Sequence, residues 1–522
     1  MHLSTEMQNI PAQDHPSDRF EKYFSRRIVF VISGVVFLAL AIKFLDHTVD
    51  DAFISFRYAH NLVQGHGLVF NPGERVEGYT NFLWVILSAF SMWLSLNPEI
   101  FAKIIGLLAS LTTIAAVVRL SPKPDNYRLL VFAAPILLAV NPSFAVWATG
   151  GLETPLFTSL VTWGLVLAAQ GMEKGTLPLS SALLLAFAAL TRPEGVLVAG
   201  LVFVFAIALG IKNNSFARNT AFWLPVFAAV YLPYFIWRFI YYGALLPNTF
   251  YVKVDPGGSQ LFRGLVYSHG FLAATGYWTI VGLIGLVWMK KTHFVCALGW
   301  PLLLYVIYII YIGGDGLPMY RFFVPGLGIF FILVSQGLVG WLAKGAHWKP
   351  IRGVMTIALL LTASYSMIPF YRGPDYNYVM QDRSEVDSWK EIGKWFKASA
   401  KPDDSIAVIP AGAIPYYSEL KTIDMLGLND VTIGRKTTND MGKLQAGHEK
   451  YDIEYVLSRK PTYIIVGVYG LSADPLPPRQ LVKPYYPAET VLLKSPAFQN
   501  QYSLKLGRTQ KGYFYYFVRK TS

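Results

Sequence analysis

The sequence lacks much of what a soluble enzyme of its size carries. Only 15% of its 522 residues are charged, whereas 53% are hydrophobic and 15% are aromatic. The single cysteine, Cys296, lies inside an apolar run, which excludes an internal disulfide framework. There is no glycine-rich phosphate-binding loop, no HExxH motif and no CxxC pair. Nucleotide-driven chemistry and a structural zinc site therefore both lack support.

Long apolar runs recur instead through the part of the chain before Tyr371, and they predict an α-helical polytopic membrane protein. About 26 polar residues precede the first run, so we expect that run to remain as an anchor rather than to be cleaved as a signal peptide. Twelve candidate runs fall near 28–45, 81–96, 99–118, 128–147, 153–170, 177–191, 194–211, 220–242, 268–289, 294–312, 322–341 and 351–369.

Basic loops beside these runs predict which ends face outward, because lysine and arginine collect on the cytoplasmic side. The N-terminus is then inside, and the loop that holds Asp50 and Asp51 is outside. All the basic groups can lie inside only if one of the first three runs does not cross. Run 81–96 is short and rich in Trp and Ser, so we expect it to lie on the outer leaflet, which leaves about eleven transmembrane helices. The basic groups are Lys22 with Arg26 and Arg27, Arg119 with Lys123 and Arg128, Lys212 with Arg218, Lys290 with Lys291, and Lys344 with Lys349 and Arg352.

The charge distribution divides the chain into parts. Residues 372–522 hold nearly half of the charged residues in under a third of the length, and short apolar runs there alternate with helix-like stretches such as 385–400. This pattern predicts a small α/β domain outside the membrane.

The basic loops account for the net charge of +13, so no nucleic-acid partner is expected. The predicted parts are a cytoplasmic tail at 1–27, a transmembrane catalytic domain at 28–371 with its first outer loop at 46–98, and an extracytoplasmic domain at 372–522.

Two adjacent acids, Asp50 and Asp51, follow the first apolar run in the stretch VDDAFISFRYAH. A carboxylate near the bilayer boundary has its pKa raised by desolvation and by a neighbouring like charge. Such a group suits a general base for an alcohol, or half of a divalent-metal site. The alternative is that one of them caps the helix that follows. On a helical wheel, residues 53–64 form an interfacial helix with Arg57 and His60 in one polar arc.

Other polar side chains recur in the first outer loop and at the outer ends of apolar runs, where ionisable groups are costly unless paired or functional. An outward-facing carboxylate, cations that hold a departing phosphate and a lipid-facing groove suit the transfer of a sugar from a polyprenyl-phosphate donor. The candidate ligands of the donor phosphate are Arg192, Lys253 and Arg321. The other candidates for substrate binding are Arg57, His60, His66, Asn71, Glu74, Glu77, Asn81, Glu153, Glu194, Asn248 and Asp315.

Several segments resemble the GT-C integral membrane glycosyltransferases, in particular the terminal β-arabinofuranosyltransferases of mycobacterial cell walls and related proteins of Gram-negative bacteria. The resemblance implies a polyprenyl-phosphate sugar donor, transfer on the extracytoplasmic face, and an essential acid at Asp50 or Asp51. It also makes Lys103 a candidate phosphate ligand. The segments are DDAFISFRYAHNLVQGHGLVFNPGERVEGYTNFLW (50–84), ATGGLETPLF (148–157), LTRPEG (190–195), LPNTFYVK (246–253), GGDGLPMYRFFVP (313–325), AGAIPYYSELKTIDMLGLND (411–430) and GHEKYDIEYVLSRKPTYIIV (447–466).

Together these features predict an inverting glycosyltransferase of the bacterial inner membrane, with its active site and C-terminal domain on the periplasmic side. The expected acceptor is a cell-envelope glycan or glycolipid, and arabinofuranose is only one candidate for the sugar. A divalent cation at Asp50 and Asp51 is optional, because a lipid-phosphate donor carries a single phosphate. The rival hypotheses are a transporter or flippase of lipid-linked saccharide, and a non-catalytic envelope-assembly protein.

Overall fold

The computed structural model of the chain describes residues 25–121, 128–210, 220–254, 258–275, 293–342 and 373–520, with scattered positions between 351 and 365. The described residues form a helical part (25–342) and a C-terminal domain (373–520). The predicted boundary near residue 372, most of the predicted cytoplasmic tail and most of runs 268–289 and 351–369 lie outside the described residues. So do the basic residues Lys22, Lys123, Lys212, Arg218, Lys290, Lys291, Lys344, Lys349 and Arg352.

The described residues of the helical part form α-helices, as the apolar runs predict. Short 3₁₀ turns at Ile42–Phe44, Arg128–Phe132 and Arg321–Phe323 adjoin three of them. The α-helices are α1 (Arg26–Ala41), α2 (Asp50–Val63), α3 (Phe82–Trp93), α4 (Pro98–Leu120), α5 (Ala133–Ala139), α6 (Pro142–Thr149), α7 (Thr154–Glu173), α8 (Leu179–Thr191), α9 (Glu194–Gly210), α10 (Trp223–Tyr242), α11 (Asn248–Lys253), α12 (Gly258–Ala274), α13 (His293–Tyr311) and α14 (Val324–Leu342).

Six segments of the described chain are long and apolar enough to cross a membrane, and a seventh results if the bent pair α5 and α6 forms one span. Helix α3 has 12 residues and is therefore about 18 Å long, well short of a hydrocarbon core of about 30 Å. This agrees with the prediction that run 81–96 does not cross. The total of about eleven spans stays a prediction. The six segments are Arg26–Phe44, Pro98–Leu120, Thr154–Glu173, Trp223–Tyr242, His293–Tyr311 and Arg321–Trp341.

The bend between α5 and α6 has a local cause. Asn141 caps α6 by accepting a 3.1 Å hydrogen bond from the Phe144 N–H. Pro142 occupies the first turn of α6, where the N–H that proline lacks would have no helical partner. The same proline prevents α5 from continuing. The two axes differ by 50°. Run 128–147 is therefore broken rather than a straight span, and it leads directly into the turn that holds Glu153.

The C-terminal domain is α/β, as predicted. Its elements are α15 (Pro374–Ser399), β1 (Ser405–Val408), α16 (Ala413–Ser418), β2 (Lys421–Asp424), α17 (Val431–Gly434), α18 (Ile453–Ser458), β3 (Tyr463–Ile464), α19 (Pro478–Leu481), α20 (Pro487–Lys494), α21 (Pro496–Gln501), β4 (Tyr502–Arg508) and β5 (Tyr513–Arg519). The five strands form one sheet in the order β2-β1-β3-β5-β4, in which β1 pairs in parallel with β2 and β3, while β5 runs antiparallel to β3 and β4.

The two parts share one hydrophobic core. Phe53 and Phe56 of α2 belong to the same buried cluster as Ile414 of α16 and the membrane helices. The ring of Phe53 lies 5.7 Å from that of Tyr416. Because burial of aromatic surface is strongly favourable, this contact fixes the C-terminal domain on the first outer loop. Helix α2 is therefore covered by protein on the side that the sequence predicted to face the interface.

Candidate active site

Helix α2 begins at the acid pair, but neither acid caps it. The N-cap residue is Val49, which has no side chain able to cap. Asp50 and Asp51 are the first two helical residues, where the helix dipole favours negative charge. The alternative prediction of an N-capping aspartate is therefore wrong, and both carboxylates are free to act elsewhere.

Asp50 binds the C-terminal domain. Its two oxygens accept hydrogen bonds from the N–H groups of Gly412 (2.8 Å) and Ala413 (2.7 Å), at the start of α16. A Cβ atom on Gly412 would lie 1.9 Å from the backbone oxygen of Asp50, so the approach requires glycine. Burial raises the pKa of Asp50 to about 7, although the hydrogen bond from Ala413 opposes that shift. Asp50 is thus a docking group with both oxygens occupied.

Asp51 instead faces open space. Its carboxylate receives no hydrogen bond from any residue that the structure describes, and it lines two adjacent cavities. Burial raises its pKa above the ordinary 3.8, while the charges of Lys253 and Arg321 oppose that shift. A buried carboxylate with a raised pKa and unoccupied oxygens suits a general base. Of the two acids, Asp51 is the one that can receive a proton from a substrate.

The first cavity, of about 190 Å³, lies between the predicted first outer loop and the adjacent ends of the membrane helices. Its lining includes predicted site residues as distant in the sequence as Asp51 and Arg321. Sequence reasoning missed Ser55, Thr80, Thr249 and Tyr308, which have no charge to mark them. The predicted site residues in its lining are Asp51, Asn81, Glu153, Arg192, Glu194, Lys253, Asp315 and Arg321.

The two arginines of this cavity are already paired. Arg192 binds Glu153 at 2.8 Å and Glu194 at 2.7 Å, and all three side chains are buried. Arg321 binds Asp315 at 2.6 Å. These pairs largely neutralise both guanidinium groups, because buried opposite charges in contact cancel most of each other's field.

Lys253 has no such partner. None of the ion pairs between described residues includes its ammonium group, yet it lines both cavities together with Asp51. Its charge acts on the Asp51 carboxylate and opposes the effect of burial on the pKa of that acid. Among the described residues, Lys253 is therefore the cavity cation best able to bind an incoming anion.

The second cavity, of about 130 Å³, lies between the first outer loop and the C-terminal domain. It shares Asp51, Ile54, Lys253, Asp315 and Leu428 with the first cavity. Most of its remaining lining comes from the C-terminal domain, to which none of the predicted site residues belongs. The new lining residues include Tyr378, Asp382, Glu385, Trp389, His448, Tyr469 and Tyr486.

Arg57 lies away from both cavities and joins the two parts of the chain. Its buried guanidinium donates to the carbonyls of Phe70 (2.7 Å) and Leu420 (2.7 Å), and also to the carbonyl of Pro415 and the side chain of Asn71. Burial lowers its pKa to about 10, so it stays charged at neutral pH. Arg57 therefore holds α16 and β2 in place rather than binding substrate.

Other predicted residues also make docking contacts outside the cavities. Asn71 pairs with the backbone of Thr422, and Glu74 binds Lys421 and Arg459. Asn248 donates to the carbonyls of Gly427, Leu428 and Asp430.

The remaining candidates also lie elsewhere. Glu77 forms a buried ion pair with Arg238 of α10. His60 lies 3.9 Å from Glu419, and His66 is exposed. Lys103 binds Glu99 at 3.6 Å and the carbonyl of Leu45, outside the two cavities.

A divalent cation is poorly suited to these residues. Within the described ranges, no three His, Cys, Asp or Glu side chains converge as a metal site would require. Both oxygens of Asp50 accept backbone N–H groups, and Asp315 is paired with Arg321. The acid pair for which the sequence allows a divalent cation therefore does not offer a metal ion a chelating set.

The chain is similar in sequence to known proteins, both within its C-terminal domain and over longer segments. A family model described as a domain of unknown function (DUF8728) matches residues 376–516. Two relatives are each named terminal β-(1→2)-arabinofuranosyltransferase. The one from Mycobacterium tuberculosis is 31% identical over 248 residues, which are 44% of this chain and 38% of the relative. The one from Corynebacterium glutamicum is 24% identical over 398 residues, which are 65% of this chain and 54% of the relative. The chain thus matches less than two thirds of the length of either relative.

Two solved structures share the architecture. ArnT from Cupriavidus metallidurans, bound to undecaprenyl phosphate, has a TM-score of 0.60 at 13% identity, covering 94% of this chain and 97% of that one. The oligosaccharyltransferase AglB from Archaeoglobus fulgidus, in complex with an inhibitory peptide and a dolichol-phosphate, has a TM-score of 0.54 at 11% identity, covering 78% and 65%. Both are GT-C glycosyltransferases. The resemblance seen in the sequence is thus confirmed, and the chain has the GT-C fold with a C-terminal α/β domain.

Proposed function

We propose that the chain is an inverting glycosyltransferase that moves a sugar from a polyprenyl-phosphate carrier to a hydroxyl group of a cell-envelope glycan or glycolipid. One observation carries the proposal: the unoccupied carboxylate of Asp51 lies where two cavities meet, and the unpaired ammonium of Lys253 lines both of them. A base and a cation placed together in this way suit displacement of a phosphate by an alcohol.

The first cavity suits the lipid-linked donor. Apolar residues at the start of α11 line it, among them Leu246 and Phe250, and the adjacent Leu245 is 59% exposed. This rim offers a prenyl chain an apolar path to a polar interior. The presence of undecaprenyl phosphate in the ArnT structure and of dolichol-phosphate in the AglB structure supports the same class of donor.

The proposed step is a single displacement. The acceptor oxygen attacks the anomeric carbon and forms the new C–O bond, while the bond from that carbon to the phosphate oxygen breaks. The electron pair stays on the lipid phosphate, whose growing charge Lys253 stabilises. The acceptor proton passes to Asp51. Because Asp51 lies on the border of the donor cavity, attack from the side opposite the phosphate gives inversion at the anomeric carbon.

The proposed location is the bacterial inner membrane, with the site on the periplasmic face. Arg26 and Arg27 lie at the start of the first span, and Asp50 follows its end. Since basic residues favour the cytoplasmic side, Asp51 and both cavities would face outward. The orientation predicts that a thiol-reactive, membrane-impermeant reagent labels a cysteine placed at exposed Asp474 in intact spheroplasts of a host lacking the native protein.

The test is transfer by the purified full chain in detergent, with synthetic polyprenyl-phosphate pentofuranoses and hexoses as donors and octyl glycosides as acceptors. We expect a mass-shifted octyl disaccharide with inverted anomeric configuration from at least one donor. The same protein in vesicles, with a fluorescent lipid-phosphate sugar, tests the rival hypothesis of a flippase. Lipid exchange between leaflets without any sugar transfer would contradict the proposed enzyme.

A further inference from the structure

Lys253 belongs to a helix that is too short to hold its own position. Helix α11 has six residues and ends at Lys253, whereas an isolated helix in water needs about 12–15 residues to be stable. Its N-cap residue is Pro247, and no side-chain hydrogen bond caps the helix at that end. Contacts with other parts of the chain must therefore determine where the Lys253 ammonium lies.

The C-terminal domain holds the start of α11. Asn248 is 3% exposed, so the hydrogen bonds of its amide are shielded from water. A Cβ atom on Gly434, the last residue of α17, would lie 2.8 Å from the Asn248 Nδ2, so a larger residue there would displace the amide. The Asn248 amide donates at 2.7, 3.0 and 3.3 Å, respectively, to the backbone carbonyls of Gly427, Leu428 and Asp430.

The same domain holds the last turn of α11. The buried Lys450 donates to the Tyr251 carbonyl at 2.8 Å and to the Gly434 carbonyl at 3.1 Å. One ammonium thus joins the end of α11 to the end of α17 through charge-assisted hydrogen bonds, which are stronger than neutral ones. The guanidinium of Arg435 also lies over the Tyr251 ring, 5.0 Å from its centroid.

Gly447 packs directly against the side chain of Lys253. Gly447 has a φ of +85°, and a Cβ atom there would lie 3.1 Å from the Lys253 Cε and 3.5 Å from its Cγ. Glu449 fixes this loop, because its carboxylate accepts from the N–H groups of Gly442 at 2.9 Å and Gly447 at 3.3 Å. Arg263 of α12 donates to the same buried carboxylate. The methylene chain of Lys253 therefore rests on a fixed part of the C-terminal domain.

We propose that the C-terminal domain positions the Lys253 ammonium for the donor phosphate, and that Asn248 and Lys450 are the positioning residues. The inference rests on the proposed function, because it concerns the cation that binds the phosphate. Neither positioning side chain lines either cavity, so both act through α11. A shift of α11 would move the ammonium relative to Asp51, and a charge held in place stabilises a phosphate better than one that must first reorganise.

The first experiment measures sugar transfer by the full chain. We expect Asn248→Ala and Lys450→Met each to raise the donor KM about threefold to tenfold, with the acceptor KM unchanged, because each variant loses the hydrogen bonds that hold α11. Lys450→Arg should stay within about twofold of wild type, since it keeps a cation able to donate to both carbonyls. Lys443→Met is the matched control, because it removes an exposed lysine of the same loop. An equal rise in donor and acceptor KM would overturn the inference.

A double-variant cycle separates positioning from a general loss of structure. In the Lys253→Ala background, Lys450→Met should raise the donor KM by less than about twofold, because the group that it positions is already absent. An equal rise in both backgrounds would mean that Lys450 does not act through Lys253, and it would contradict the inference.

A binding measurement without turnover distinguishes this inference from the proposed enzyme. Isothermal titration calorimetry of the full chain uses farnesyl phosphate as the probe and farnesol as the lipid-only control. We expect binding of farnesyl phosphate, but not of farnesol, to weaken in Lys253→Ala, Asn248→Ala and Lys450→Met. If only Lys253→Ala weakens binding, the positioning role fails while the phosphate contact stands. If Lys253→Ala also binds like wild type, the phosphate contact of the proposed function fails, and the inference fails with it.

Discussion

Asp50 and Ala413 lie 363 residues apart, yet a 2.7 Å hydrogen bond joins the Asp50 carboxylate to the Ala413 N–H. The neighbouring Gly412 N–H binds the other carboxylate oxygen at 2.8 Å. These contacts assign the two adjacent acids to different tasks, since Asp51 keeps its oxygens free for a substrate. They also give the C-terminal domain a fixed position over the site.

Replacing Asp50 by asparagine should weaken this docking. The asparagine oxygen can accept from only one of the two N–H groups, and its amide N–H₂ would face the other, so one hydrogen bond worth about 0.5–1.5 kcal/mol is lost. We expect a lower melting temperature and faster proteolytic separation of the C-terminal domain, with sugar transfer retained by the folded fraction. Asp474→Asn, at an exposed site, is the control. Full loss of transfer by Asp50→Asn without any change in stability would contradict the docking role.

The pH dependence of transfer should report Asp51. The base must be ionised to accept a proton, and burial raises its pKa above 3.8. The rate should therefore fall as the pH drops through the raised pKa of Asp51, and the charges of Lys253 and Arg321 limit how far that pKa is raised. The measurement is kcat/KM for the acceptor between pH 4.5 and 8, corrected for loss of folded protein. A rate that stays constant over this range would count against an aspartate base.

Folding stability should depend on pH in the opposite direction to the transfer rate, and should fall as the pH rises. Burial gives Asp50 a pKa of about 7 in the folded protein, so the folded state holds this proton more tightly than the unfolded chain. Its contribution to stability is then complete below the unfolded pKa and is lost as pH rises through about 7. Thermal unfolding of wild type between pH 4 and 8 should show this loss, and Asp50→Asn should not.

Removal of the Lys253 ammonium should weaken donor binding. One charge-assisted contact to phosphate is worth about 1.5–3 kcal/mol, so Lys253→Ala should raise the donor KM by roughly tenfold to a hundredfold. Lys253→Arg should retain part of the donor affinity that Lys253→Ala loses, because arginine keeps the positive charge. The matched control is Lys436→Ala, which removes a half-exposed lysine paired with Asp452. Equal effects of Lys253→Ala and Lys436→Ala would refute the phosphate contact.

Replacing Arg192, unlike replacing Lys253, should lower the stability of the fold rather than the affinity for the donor. Arg192→Gln leaves the carboxylates of Glu153 and Glu194 buried without their cation. An uncompensated buried charge costs about 3–5 kcal/mol. We therefore expect poor yield of folded protein rather than a selective rise in the donor KM.

The ion pair between Glu77 and Arg238 should anchor the first outer loop to α10. The Glu77 oxygens accept from the Arg238 Nε at 2.9 and 3.1 Å, and both side chains are buried. Glu77→Leu should cost about 3–5 kcal/mol, whereas the double variant Glu77→Leu/Arg238→Met should recover much of it. The control, Lys394→Met, breaks an exposed pair with Glu391 that is worth about 0–1 kcal/mol. Equal destabilisation by the single and double variants would argue against a coupled pair.

The sequence predicts the first cavity well because two simple rules act together. The spacing of apolar runs defines where helices end, and the basic loops define which ends face outward. Glu153, Arg192, Glu194, Asp315 and Arg321 therefore fall on one face without any knowledge of packing. The same rules predict that run 81–96 does not cross the membrane, which agrees with the 12-residue length of α3.

The docking contacts could not be predicted in this way. The helical wheel places Arg57 and His60 in one polar arc, but it does not reveal that the C-terminal domain covers the arc. The carbonyl that Arg57 reaches at Leu420 lies 363 residues further along the chain. The sequence therefore predicts substrate contacts for Arg57 and Asn71, whereas both side chains bind backbone groups.

The second cavity did leave a signal in the sequence. Tyr378, Asp382, Glu385 and Trp389 repeat at helical spacing, but the helix predicted at 385–400 starts too late to include the first two. Helix α15 begins at Pro374, a residue typical of a first helical turn. Strand β2 was also missed, because four residues with a lysine and an aspartate have no clear apolar alternation.

Single-turnover transfer by Asp51→Asn tests the central claim most directly. Wild type, Asp51→Asn and the control Asp474→Asn are each mixed with lipid-phosphate sugar and octyl glycoside, and disaccharide formation is followed by mass spectrometry. Loss of a general base costs about 10² to 10⁴ in rate, so Asp51→Asn should fall at least a hundredfold while melting like wild type. Transfer by Asp51→Asn at the wild-type rate would contradict the account.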